Sequence, residues 1–352
     1  MRRLLILAIA VTLVLAACGS RASSTSSGGS GPQTITLLTH DAFAVSKPVL
    51  ASFTAQTGIK VKLLKGGDAG AELNQAILTK GDPIADVMYG TDNTFLSRAV
   101  DAGILEPYTA KGLALVPQKY QLDPTHRMTP IDYGDVCVNY DEKWFGDHHV
   151  APPISLADLT KPAYKGLTVV ENPSTSSTGL VFLLATVAKF GTDGWQQYWK
   201  DLKANRVLVE ASWDAAYDGS FTAGGGNGTR PIVVSYGSSP PADVVYSSPK
   251  KSKPSVGVVT DGCFLQVELA GILKGTHHLE AAQKLVDFLL SEKFQADMPL
   301  QMYVYPTRRG TPLPKVFTDF AVIPSHPLTL APATISAHRD AWIEQWNRIV
   351  LH

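Results

Sequence analysis

Hydrophobic and polar positions run along this chain in two rhythms, and the switches between them lay out its elements. Residues 34–39, Thr-Ile-Thr-Leu-Leu-Thr, have the β-branched, apolar character of a strand. Residues 47–57 form a predicted helix with Val49, Leu50 and Phe53 on one side, and Gly58 ends it. Residues 59–63 alternate as a second strand, 72–80 are helical with Leu73, Ile77 and Leu78 apolar, and 85–89 read as a short buried strand. The rhythm then restarts, with strands over 168–170, 206–210 and 231–236 and a helix over 179–191. Two late helices, 281–290 and 332–350, complete the pattern; in the second, Ile335, Trp342, Trp346 and Ile349 share one side and pack back on the body.

Strands alternating with helices predict an α/β fold with parallel sheets covered on both faces. The restart predicts two lobes, one from 34–131 and 264–352, the other from 132–263. The chain crosses near 131–140 and returns near 263–268. Both crossings are strand-like, as hinge connections often are, so the expected architecture is a two-lobed body with a cleft between.

The first residues stand outside this pattern. Arg2 and Arg3 precede an apolar run over 4–15, too short to span a bilayer. Leu15-Ala16-Ala17-Cys18 then supplies small residues before a cysteine. This is the pattern of an export signal over 1–17 and of a lipobox, with Cys18 receiving lipid and becoming the first mature residue. Residues 18–33, rich in Ser, Gly and Thr, predict a flexible tether that lets the body stand off the outer face of the cytoplasmic membrane. Removing the signal takes away two of 31 basic residues and leaves all 31 acidic ones, a near-neutral balance that argues against nucleic acid as partner. Of three cysteines, Cys137 and Cys263 remain after Cys18, an even pair that permits a disulfide in an exported chain without establishing one.

Catalytic signatures are missing. There is no HExxH, no GxSxG, no GxGxxG after a strand and no Cys/His set at zinc spacing. The neighbours His148-His149 and His277-His278 point apart and read as solvated loop residues. The glycine-rich 223–228 lacks the ending of a P-loop and reads as a surface loop. The segments just past each strand are more informative, because ligands in open α/β sheets sit beyond the carboxyl ends of strands. His40-Asp41-Ala42-Phe43 comes after the first, Gly66-Gly67-Asp68-Ala69-Gly70 after the second and Gly90-Thr91-Asp92-Asn93 after the third. In the later half come the hydroxyls 174–178, then Trp213 and Tyr217 on a predicted helix, then Gly237-Ser238-Ser239-Pro240 after Tyr236. Tyr303 and Tyr305 lie near the return. Carboxylates and aromatic faces favour a cation, hydroxyls and amides at helix starts favour an anion, and flat rings favour stacking. Asp68 between glycines also suits a turn, and Asp92 equally suits a helix cap.

In order and spacing, several of these segments resemble the thiamine-binding proteins of bacterial ABC importers. They are Thr39-His40-Asp41-Ala42-Phe43, Ala85-Asp86-Val87, Asp132-Tyr133-Gly134, Glu171-Asn172-Pro173-Ser174-Thr175-Ser176 and Trp213-Asp214-Ala215-Ala216-Tyr217. Val234-Ser235-Tyr236, Leu265-Gln266-Val267-Glu268, Tyr305-Pro306 and the stretch from Ala341 to Arg348 continue the series. The resemblance covers nearly the whole mature chain. It implies a two-lobed, type II periplasmic binding protein with hinge closure, a monomer, with a permease as partner, no cofactor and no enzyme activity. It implies ligand contacts at Asp68 and Ala69, Ser176 and Ser177, Trp213, and Tyr236, Gly237, Ser238, Ser239 and Pro240. Tyr303 stands where the family has a tryptophan, and His40 where it often has a tyrosine. In this reading Asp68 faces the thiazolium charge, Trp213 and Tyr236 flank the rings, and the Ser176 region receives the hydroxyl or phosphate tail. The alternatives are a ferric-ion or phosphonate binder of the same build, and an exported phosphate-ester hydrolase.

Overall fold

The computed structural model of this chain describes residues 33–225 and 227–352. The expected signal, Cys18 and all but the last residue of the tether lie outside the described residues, as does Gly226 of the glycine-rich loop. Ten strands appear among the described residues: β1 (Thr34–Thr39), β2 (Lys60–Lys65), β3 (Val87–Asp92), β4 (Leu105–Glu106), β5 (Thr129–Asp141), β6 (Thr168–Glu171), β7 (Leu208–Glu210), β8 (Ile232–Tyr236), β9 (Val256–Leu273) and β10 (Tyr305–Pro306). They join in the order β2-β1-β3-β9-β5-β8-β6-β7, with β4 on β9 and β10 on β5.

The parallel pairing expected from the βα rhythm holds at the two ends, where β1 lies between β2 and β3, and β6 between β7 and β8. The middle differs. β9 runs antiparallel to both β3 and β5, and β5 antiparallel to β8. The cause is the path of the chain: it crosses from one half to the other in β5 and comes back in β9, so the two long crossing strands must oppose each other. The lobe limits read from the sequence, at 132 and 263, fall inside these two strands.

Ten α-helices cover the sheet among the described residues: α1 (Lys47–Thr57), α2 (Ala69–Leu78), α3 (Leu96–Asp101), α4 (Glu142–Asp147), α5 (Ser177–Ala204), α6 (Pro240–Tyr246), α7 (Leu279–Leu289), α8 (Glu292–Gln301), α9 (Lys315–Phe320) and α10 (Pro332–Val350). α1 and α10 match their predicted spans. α5 does not stop at Gly191. Two helical segments meet there at φ 74° and ψ 178°, a conformation that favours glycine, and the second segment buries Trp195 and Trp199. α10 packs Trp346 edge-on against Trp199, ring centres 5.4 Å apart, while its Arg339 reaches the Ser97 hydroxyl on α3 at 3.1 Å. Asp92 is not the N-cap of α3, which is Phe95; from the end of β3 its carboxylate closes the turn before that helix, accepting from the Thr94 amide at 2.7 Å and from Gln266 at 2.6 Å. No helix among the described residues is long and apolar enough to cross a membrane.

Cys137 and Cys263 are joined by a disulfide that ties β5 to β9. The register jumps at this point, with Val136 facing Phe264 and Val138 facing Val259, so β9 bulges where the bond is made. The bond closes a span of 126 residues. Cross-links over such spans stabilise mainly by restricting the unfolded chain. Replacing both cysteines by serine is expected to lower stability by about 2–5 kcal/mol, read as a lower urea midpoint.

Candidate functional site

The site is built where the carboxyl ends of strands from both halves meet. His40 follows β1, the turn after β2 presents Asp68 before α2, and β8 ends at Tyr236. Ser177 opens α5, and Glu268 lies within β9. Together with Trp213, Tyr217, Asp214, Tyr303 and Met302 they enclose a cavity of about 230 Å³.

Asp68 is the pivot of this geometry. It is the N-cap of α2, and its carboxylate Oδ1 accepts from the amides of Ala69 at 2.7 Å and Ser177 at 3.2 Å. Its Oδ2 accepts from the Trp213 amide at 3.0 Å. The acid therefore satisfies an orphan amide at the start of α2 and another at the start of α5, and fixes the backbone of the key indole. Beside it the Gly70 amide donates to the Thr175 carbonyl at 3.1 Å. A Cβ on Gly70 would stand 2.8 Å from that oxygen, so only glycine permits this approach.

The aromatic wall is positioned by hydroxyls. Trp213 Nε1 donates to Ser235 Oγ at 3.0 Å, and Ser235 in turn pairs with Ser239 at 2.9 Å. One face of the indole stacks on Tyr217, 4.9 Å away and 15° from parallel. The predicted helix here is a π-helical turn, Ala215–Ser220, a local form often found at binding sites. Tyr303 has φ 56°, a left-handed conformation rare outside glycine, held by Ser238 Oγ donating to its carbonyl. Its ring stacks over Phe317 and meets the exposed Tyr246 edge-on.

The floor is acidic. Glu268, His40, Glu72, Tyr89 and Asp132 sit together at β9, β1, α2, β3 and β5, each with 8% of its surface exposed or less. The Tyr89 hydroxyl donates to Asp132. Burial pushes Glu72 and Asp132 well above the usual carboxylate range, and the nearby Glu268 charge adds to both. Gly90, at φ 141°, makes room for the cluster: a Cβ there would stand 2.6 Å from both Glu72 and His40.

Of the residues expected from the sequence, His40, Asp68, Ala69, Ser177, Trp213, Tyr236, Ser239 and Tyr303 line the cavity. Ser176, Gly237, Ser238 and Pro240 do not. Ser176 is fully buried as the N-cap of α5, its Oγ accepting from the Gly179 amide. Gly237 bonds to Asp135 and Val322 through its backbone, and Pro240 begins α6. Tyr305 is buried against Tyr133, not in the cavity. Glu268, Asp214, Asp218 and Tyr246 line the cavity unforeseen. Glu268 had a signal: a carboxylate within the mostly apolar second half of β9 needs a reason to be buried.

The carboxylate of Asp68 predicts a measurable device. Asp68→Ala is expected to lose about 1–3 kcal/mol of stability and to give a larger radius of gyration in small-angle scattering without ligand. Asp68→Asn, which keeps one acceptor, is expected to fall between it and the parent. An unchanged radius for the alanine variant would show that the carboxylate does not hold the cleft.

Comparisons place this architecture. Residues 82–320 match the model of the family described as bacterial extracellular solute-binding protein. The thiamine-binding periplasmic protein of Escherichia coli K12 is 31% identical over 324 residues, covering 90% of this chain and 93% of that protein. Its Salmonella typhimurium counterpart is 30% identical over 321 residues, with 90% and 93% covered. A solved periplasmic thiamin binding protein superposes with a TM-score of 0.80 at 28% identity, covering 92% of this chain and 98% of that one. With its sheet halves joined by two crossing strands and its cavity between them, the chain belongs to the bacterial extracellular solute-binding proteins.

Proposed function

We propose that this chain is the solute-binding protein of an ABC importer that captures thiamine or its phosphate esters and delivers it to a permease. The observation that carries the reading is the cavity lining: Trp213, Tyr236 and Tyr303 offer flat rings, five carboxylates surround them, and among the described residues no lysine or arginine lines the space. A planar organic cation uses both features, gaining about 0.5–2 kcal/mol from each well-placed ring. The 31% identical relative is named for thiamine binding, which supports the choice of cation. The role is capture and transport, not catalysis.

In this mechanism the ligand contacts residues of both halves, and only the closed form makes both sets, so binding shifts the population towards closure about β5 and β9. The lobes in this reading are 34–131 with 264–352, and 132–263. Ferric ion is the weaker alternative. Among the described residues no three His, Cys, Asp or Glu converge to hold a metal, and Tyr303 and Tyr305 do not share the cavity. An anchor on Cys18 would keep the body at the outer face of the membrane, supported by the apolar run and tether around it.

Titration followed by tryptophan fluorescence tests the reading. Thiamine is expected to bind saturably, its mono- and diphosphate no more tightly because the lining offers them no lysine or arginine, and ferric ion not at all. Trp213→Ala is expected to weaken thiamine binding at least about tenfold; equal affinity would remove the stacking role. Separately, Cys18→Ala is expected to abolish incorporation of labelled fatty acid and to release the protein from the membrane fraction.

A further inference from the structure

Asp68 spends its carboxylate on three amides, so the ligand's positive charge needs another partner. Two cavity-lining groups that can carry a charge at neutral pH have none. Glu268 is 5% exposed and His40 8%, and Glu268 Oε2 and His40 Nε2 each lack a hydrogen bond. They face each other at 3.6 Å, just beyond hydrogen-bond reach. The other carboxylates of the cavity are less suited. Asp41 accepts from the Gly67 amide, Asp214 is only half-buried, and Asp218 is exposed at the mouth, where water screens it.

Resting on the function proposed above, we propose that Glu268 is the counter-ion of the ligand's cationic ring and that His40 supplies the resident positive charge which the ligand displaces as a proton. The titratable groups facing His40 are all acids or phenols. They are Glu268 on β9, Asp132 on β5, Glu72 on α2, Tyr89 on β3, Asp68 before α2, and Asp41 and Asp214 at the cavity wall. Burial is the largest single influence and lowers the imidazole, but Glu268, Asp68 and Asp132 together outweigh it and hold His40 above its ordinary value. A second cation beside Glu268 repels the imidazolium and removes that support. The proton leaves to solvent, and the site's net charge stays the same. Neutral His40 then offers a flat, uncharged face in place of a repelling one.

Calorimetry of the full-length chain in detergent, titrated with thiamine between about pH 6 and 8.5 in two buffers of different ionisation heat, tests this. The parent is expected to release up to one proton per ligand. Its affinity should rise towards a limit of about tenfold per pH unit below the His40 midpoint and level off above it. His40→Gln is expected to bind with that slope removed. Glu268→Gln, checked for folding by its far-ultraviolet spectrum, is expected to bind at least about tenfold more weakly throughout. Binding by the parent without proton release, a slope retained in His40→Gln, or full affinity in folded Glu268→Gln would each overturn the inference alone. No thiamine binding at any pH would overturn the function reading and this inference with it.

Discussion

One carboxylate holds the two sides of this molecule in register. Asp68 stands at the end of a strand in one half and takes hydrogen bonds from the amides that begin α5 and precede the π-helical turn in the other. Those amides belong to groups that helices leave unpaired. A negative charge placed at two helix starts is favoured by their dipoles as well as by the bonds themselves. The close pass of Gly70 by Thr175 extends the same seam through backbone alone. The cavity, the orientation of Trp213 and the reach of Ser177 into it all depend on this seam.

The acids behind the cavity answer a different constraint. Five buried ionisable groups within one floor would be costly if all were charged. The structure resolves the conflict by donating the Tyr89 hydroxyl to Asp132, by pushing Glu72 towards its neutral form, and by setting one imidazole beside the acid that faces the cavity. A site tuned this way is pre-arranged to receive positive charge, because its uncompensated oxygen is already desolvated.

Much of this could be read from residue order. The hydrophobic rhythm placed α1 and α10 to the residue, because Val49 and Phe53 mark the buried side of the one before the stop at Gly58, and Ile335, Trp342 and Trp346 that of the other. It placed Asp68, Trp213 and Tyr236 beyond strand ends, where the structure brings them together. The hidden part depended on pairing across the chain. The antiparallel middle of the sheet arises from β5 and β9, which lie far apart in the chain and meet in a register that no local pattern encodes. Ser176 and Ser238 have the same chemistry as Ser177 and Ser239, and only the helix phase and the turn decide which hydroxyl faces the cavity. Glu268 was visible as a charged residue in a mostly apolar stretch, but its use depends on neighbours from four other elements.

The position of β9 in the chain has a further consequence for how the molecule assembles. It is the strand that pairs with β3, β4 and β5 together, and it ends at residue 273 of 352. A chain that emerges from its N-terminus first therefore carries two half-sheets with no common partner until three-quarters of it is free. Long-range pairing of this kind is slow. The join between the halves therefore waits for β9, and α10 can seat Trp346 against Trp199 only after that.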